Sequence, residues 1–192
     1  METLVSANQD IVERFKMFIK HEKMAHAYLF TGSSKTAKVQ TAIAIAQLLN
    51  CTNGNSKPCG NCQECLRIEQ HNHPDVFIVK PQETGTLKID QIRLVLEQSR
   101  LRSFFAAKKV FIIEDVDTLS LEAANALLKT LEEPTKDTVL ILTTAIPEKV
   151  LGTIKSRCQQ IKFFSNTQDE LMDRLPEGLE VDQLINDFIM NE

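Results

Sequence analysis

No apolar run in this chain approaches the roughly 20 residues needed to cross a bilayer. Met1 leads into Glu2 and a mixed polar stretch, without the basic and then apolar regions of a secretory leader. A membrane span and a secretory signal are therefore not expected, and the reading is a cytoplasmic protein. Excess positive charge is also missing: the formal net charge is -4, which argues against a globally basic nucleic-acid binder. There is no internal repeat and no low-complexity tract. What remains is ordinary for a globular domain, with 43% apolar and 25% charged residues in 192, enough chain to bury a sizeable core.

Short apolar runs alternate with helical patterns, which points to a parallel sheet covered by helices. Ile11, Phe15, Phe18 and Ile19 fall at helical spacing. The runs 27–30, 76–79, 110–113, 139–142 and 160–163 read as five strands. Between them, an alanine-rich helix ends near Leu49, a second helix carries Ile92, Val95 and Leu96 with Asp90 as its expected cap, and a third runs from Ser120 to Leu131, stopped by Pro134.

The first strand enters Thr31-Gly32-Ser33-Ser34-Lys35-Thr36, where a phosphate-binding loop would lie. Laid on Gly-x-x-x-x-Gly-Lys-Ser/Thr, the chain offers Gly32, Ala37, Lys38 and Val39. The second glycine is missing, so Ala37, together with Lys35, makes a nest of N–H groups harder to form. Val39 has no oxygen to offer Mg²⁺. The loop alone also fits a plain strand–turn–helix with a solvated Lys38. The third strand ends in Glu114-Asp115, the reverse of the Asp-Glu order that holds Mg²⁺ and polarises water. Each carboxylate is then displaced by roughly 1.5 Å, and misplacement on the order of 1 Å can cost about 100-fold in rate. Hydrolysis here is not expected, and the two acids also read as a plain strand end.

Cys51, Cys59, Cys62 and Cys65 follow C-x7-C-x2-C-x2-C, with Gly60 and Asn61 allowing a tight turn. Four thiolates satisfy a structural, tetrahedral Zn²⁺. An iron–sulfur run would need a fourth cysteine before a proline, where Glu69 and Gln70 stand instead. Disulfides are disfavoured in the expected compartment. A zinc module touching DNA is a competing reading, although only Lys57 and Arg67 are basic nearby. His71 and His73 read as ordinary loop histidines beside a filled thiolate shell, and Cys158 as a buried thiol.

Several stretches stand together: His26-Ala27-Tyr28-Leu29-Phe30-Thr31-Gly32, the four inserted cysteines, His73-Pro74-Asp75, the decapeptide Asn125 to Pro134, and Ser156-Arg157-Cys158. On these the chain resembles the delta-prime family of clamp-loader subunits of bacterial DNA polymerase III, within the AAA+ group. The resemblance covers about residues 5 to 165, and the decapeptide and the Ser-Arg-Cys triplet are its specific parts. The gamma and tau motor subunits share them but have an intact Gly-x-x-Gly-x-Gly-Lys-Thr loop, whereas degenerate nucleotide motifs are a mark of delta-prime.

The resemblance implies a RecA-like AAA+ core over 1–165 with a five-stranded parallel sheet and a zinc module at 50–66. It implies the start of a helical lid over 166–192, without the collar that makes the main ring contact, so the isolated chain is expected to be monomeric. It further implies a pentameric loader with gamma/tau and delta partners, and a sliding clamp and primed DNA as what the loader handles. In it Arg157 reaches the ATP of a neighbouring motor subunit, and Ser156 orients the arginine or caps a turn. Read without the resemblance, Arg157 is a surface arginine with an ordinary carboxylate partner. Thr144 falls where the family places a phosphate-sensing residue, with a structural task expected here. The competing function is an active, gamma/tau-like ATPase that tolerates Ala37 and Val39.

Overall fold

The computed structural model describes residues 9–53, 58–104 and 108–163. The expected partial lid at 166–192 and Lys57 lie outside them. In chain order the elements are α1 (Gln9–Lys20), β1 (Ala27–Thr31), α2 (Lys35–Asn50), α3 (Gln63–Glu69), β2 (Val76–Val79), α4 (Ile89–Arg100), β3 (Lys109–Ile113), α5 (Leu121–Glu132), β4 (Thr138–Thr144), α6 (Gly152–Lys155) and β5 (Gln159–Lys162), with short 3-10 turns at Val116–Thr118 and Pro147–Lys149.

The five strands form one sheet in the order β2-β3-β4-β1-β5, and every pair is parallel. Each expected strand is present: β2 has the expected bounds, and the other four differ by a residue or two at their ends. Because successive side chains in a strand point to opposite faces, the continuous apolar runs feed two cores. Ala27, Leu29, Phe111, Ile113, Leu140 and Leu142 face α4, α5 and α6. Tyr28, Phe30, Val110, Ile112, Val139 and Ile141 face α1 and α2, where Phe15 packs against Tyr28 and Phe30. A strand buried on both faces explains why β1, β3 and β4 read as unbroken apolar runs.

Local chemistry sets the helix ends. Ser34 and Ser120 accept hydrogen bonds from Ala37 N and Ala123 N, both at 3.2 Å, and start α2 and α5. α5 ends at Glu132 because Pro134 drives the residue before it out of the helical region. The expected cap of α4 is corrected: Lys88 is the N-cap residue, and its N–H donates to Gln91 Oε1 at 3.1 Å. Asp90 sits inside the first turn, where its charge suits the positive helix end and Arg93 lies 3.2 Å away. At the other end of α4 the buried Lys109 ammonium donates to the carbonyls of Gln98 (2.9 Å), Leu101 (3.0 Å) and Arg102 (3.4 Å), beside the buried Asp75 carboxylate at 3.9 Å.

Candidate functional site

Gly32 leaves β1 with φ +148°, which side chains rarely adopt, and β5 packs directly against it. A Cβ here would stand 2.5 Å from the Phe163 carbonyl oxygen and 2.9 Å from its Cβ, while Phe163 N donates to Thr31 O at 2.7 Å. The glycine is thus required by strand packing, whatever it does for phosphate. Lys38 is not solvated, contrary to the plain reading of the loop: it is completely buried, and its ammonium donates to the Gly32 carbonyl across the turn.

The two acids after β3 face cations of this chain. Lys35 Nζ lies 2.7 Å from Asp115 Oδ2 and 3.4 Å from Glu114 Oε2, and Lys80 Nζ lies 3.5 Å from Glu114 Oε1. Glu114 is buried and Asp115 adopts a left-handed backbone conformation with φ +51°. Partial burial works against the Lys35 charge, but the adjoining Asp115 and Glu114 carboxylates outweigh it and hold the ammonium above the usual lysine range. An ammonium of this chain therefore sits against both carboxylates. Val39, half-buried, contributes no oxygen. Thr144, at the end of β4, is fully buried; its hydroxyl donates to Asp117 Oδ1 at 2.5 Å and accepts from Ile146 N at 3.0 Å.

The cysteines converge from two helix ends. Cys51 is the C-cap of α2, Cys62 the N-cap of α3, and Cys65 lies in the first turn of α3. Gly60, at φ +70°, turns the chain between Cys59 and Cys62. All four sulfurs lie within 4.8 Å of one another, with Cys59–Cys65 and Cys51–Cys62 each at 4.0 Å. A tetrahedron with Zn–S bonds of about 2.3 Å has edges of about 3.8 Å, whereas a disulfide needs about 2.05 Å, so the residues fit a four-thiolate metal site. Backbone donors assist the thiolates. The N–H of Asn61 is the main influence holding Cys59 below its ordinary value. At Cys62 burial opposes ionisation, but the N–H groups of Cys65 and Thr52 outweigh it and hold the thiol at about 5. Burial pushes Cys65 up to about 12, the direction a bound cation would reverse.

A surrounding shell ties this cluster to the sheet. Gln47 donates to Cys65 O at 3.0 Å, and Asn53 to Cys59 Sγ at 3.3 Å. His73 is not an ordinary loop residue: it is buried, with Nε2 2.9 Å from Glu64 Oε2 of α3. Its Nδ1 accepts from Asp75 N at 3.0 Å, which fixes the ring between α3 and the entry to β2.

Arg157 follows α6 on the surface. Its Nη2 lies 2.9 Å from Glu132 Oε1, and Nη1 donates to Thr153 O at 3.0 Å and to Ser156 Oγ at 3.4 Å. Ser156 Oγ donates in turn to Thr153 O at 3.0 Å. Cys158 turns inward into the core, where burial pushes its thiol up to about 12. Arg157 precedes β5 and the phosphate-type loop follows β1; those strands are parallel, with Tyr28 opposite Gln159 and Thr31 opposite Lys162. At about 3.3 Å per residue the two features are separated by roughly 15 Å, on opposite edges of the sheet.

Gly32, Lys38, Val39, Glu114, Asp115 and Thr144 thus gather at the carboxyl edge, Ser156 and Arg157 at the amino edge, and the cysteines at a separate cluster. Sequence reasoning missed Glu132, Lys80 and Asp117 as partners, and saw Lys35 only as an obstacle to the loop. Glu132 stood in the decapeptide, but only the chain crossing shows what it meets.

A family model described as DNA polymerase III, delta subunit, matches residues 7–167. The DNA polymerase III subunit delta' of Bacillus subtilis is 40% identical over 159 residues, which cover 83% of this chain and 48% of that protein. The delta' subunit of Pseudomonas aeruginosa is 38% identical over 71% of this chain and 42% of its own length. The tau subunit of B. subtilis is 33% identical over 94% of this chain and 32% of its own. The chain therefore spans about half, or less, of the length of these relatives. In fold it is similar to a gamma subunit-related protein of Thermotoga maritima, with TM-score 0.59 at 21% identity, covering 82% of this chain and 47% of that one. With the family model matched across the described core and delta' relatives at this identity, the chain belongs to the delta-prime family of DNA polymerase III clamp-loader subunits.

Proposed function

We propose that this chain acts as a non-hydrolysing clamp-loader subunit that lends Arg157 to the ATP site of a neighbouring motor subunit. The observation that carries this reading is the placement of Arg157: it is about one-third exposed, at the edge of the sheet opposite its own phosphate-type loop. A guanidinium there serves a phosphate outside this chain. Its planar fork and permanent charge suit it to the oxygens of a departing γ-phosphoryl group, and arginine fingers of GTPases contribute about 10³–10⁵ in rate. The chain's own pocket has Lys38 turned onto Gly32 O, Lys35 paired to Asp115, and no hydroxyl at Val39.

The partners in this reading are gamma/tau and delta subunits, and the assembly loads the sliding clamp onto primed DNA in the cytoplasm. Zn²⁺ held by Cys51, Cys59, Cys62 and Cys65 is structural: it pins α3 between the end of α2 and the entry to β2. The test is the ATPase of a reconstituted loader carrying Arg157→Ala. Turnover should fall at least tenfold while the subunit still assembles, and undiminished turnover would end the proposal. ATP hydrolysis by the isolated chain, abolished in Lys38→Ala, would favour the gamma/tau-like motor instead.

A further inference from the structure

Resting on that reading of Arg157, we propose that Glu132 is a positioning residue for the finger. The two side chains come from different elements. Glu132 is the last residue of α5, whose Leu127, Leu131, Ala123 and Ala124 are anchored in the core, and Pro134 prevents the helix from continuing. Its position at the amino edge of the sheet is therefore rigid. Arg157 emerges just after the four-residue α6, with Ser156 as C-cap. The carboxylate takes Nη2 at 2.9 Å, and the Thr153 carbonyl and Ser156 hydroxyl take Nη1. The guanidinium is thus gripped along its Nη atoms, and none of these contacts uses Nε, so part of its five-donor set is left over.

Two physical points separate this from an incidental surface pair. A carboxylate in the last turn of a helix faces the negative end of the helix dipole, so Glu132 does not serve α5 itself. With side chains 36% and 50% exposed, the pair also adds little to folding. What it does change is the freedom of Arg157, a side chain that carries a large rotamer entropy to be lost at the catalytic step. Holding it from α5 and α6 together presets it before a neighbour docks.

The experiment is a kinetic cycle in a loader reconstituted with the full-length subunit, the clamp and primed DNA. Glu132→Ala, Glu132→Gln, Arg157→Ala and the double alanine variant are compared for kcat and for KM of ATP. Glu132→Ala should lower kcat by about 3- to 10-fold with KM for ATP changed less than about twofold, as expected for a misaimed group. Glu132→Gln should recover at least half of the lost kcat, since its amide oxygen still accepts from Nη2. The double variant should match Arg157→Ala, and Glu132→Ala should melt as wild type does. Wild-type or raised kcat in Glu132→Ala, with Arg157→Ala depressed, refutes the positioning role alone. Additive losses in the double variant refute it as well. Unchanged turnover in Arg157→Ala refutes instead the finger on which it rests.

Discussion

Replacing Gly32 by alanine tests whether this glycine is held by packing or by phosphate. At φ +148° an L side chain pays a backbone cost of about 1–3 kcal/mol. The added Cβ would sit 2.5 Å from the Phe163 carbonyl oxygen, closer than real Cβ contacts come. Relief requires shifting the end of β5 by most of an ångström, which weakens the 2.7 Å bond from Phe163 N to Thr31 O, worth about 0.5–1.5 kcal/mol. Together these give about 2–4 kcal/mol, a large part of the 5–15 kcal/mol that a domain commonly has. Gly85→Ala is the control: φ is +73°, but the new Cβ meets nothing within 4 Å, so only the backbone cost of about 1 kcal/mol remains. Because the chain has no tryptophan, urea unfolding is best followed by far-ultraviolet circular dichroism. With a urea slope of about 2 kcal/mol/M, the Gly32→Ala midpoint should fall by about 1–2 M. A loss no greater than that of Gly85→Ala would show that β5 does not confine this position, and the reasoning would be wrong.

Elemental analysis of the purified protein should find about one zinc per chain, and chelation or Cys62→Ser should release it and lower the melting temperature; zinc well below one per chain, without iron, would refute the site. Lys109→Met should cost about 3–5 kcal/mol by denaturant unfolding, since it removes the cation from a buried carboxylate and from three carbonyls at the end of α4; a change below 1 kcal/mol would contradict that account. Lys35→Ala should cost no more than about 1 kcal/mol, because half of the side chain is exposed and Lys80 still faces Glu114; a loss above 3 kcal/mol would mean the pairing matters far more than its exposure implies. Cys158, whose thiol burial pushes to about 12, should resist alkylation at pH 8 in the folded protein and react only on unfolding, as read by mass spectrometry.

The inner strands β1, β3 and β4 were legible because each is buried on both faces and so is written as an unbroken apolar run, whereas the edge strand β5, exposed except at Ile161, carries no such run; α5 was legible from Ser120 and Pro134. The cap of α4 was misread because an aspartate suits the cap and the first turn alike, and only the backbone tells them apart. The cysteine spacing alone called for a four-thiolate site, since two helix ends and one tight turn suffice to bring the sulfurs together. What local pattern could not carry was every contact between residues distant in sequence: Lys35 with Asp115, His73 with Glu64, and Arg157 with Glu132.

Residue type, spacing and apolar pattern, all local properties, thus determined the elements, the four-cysteine cluster and the departures of the phosphate-type loop from its motif. Tertiary structure alone decided that Lys38 is buried, that Gly32 is confined by Phe163, and that Arg157 stands on the far edge of the sheet from that loop. The reason is that parallel strand order, and with it which edge a residue occupies, arises only from chain crossings that no local pattern encodes.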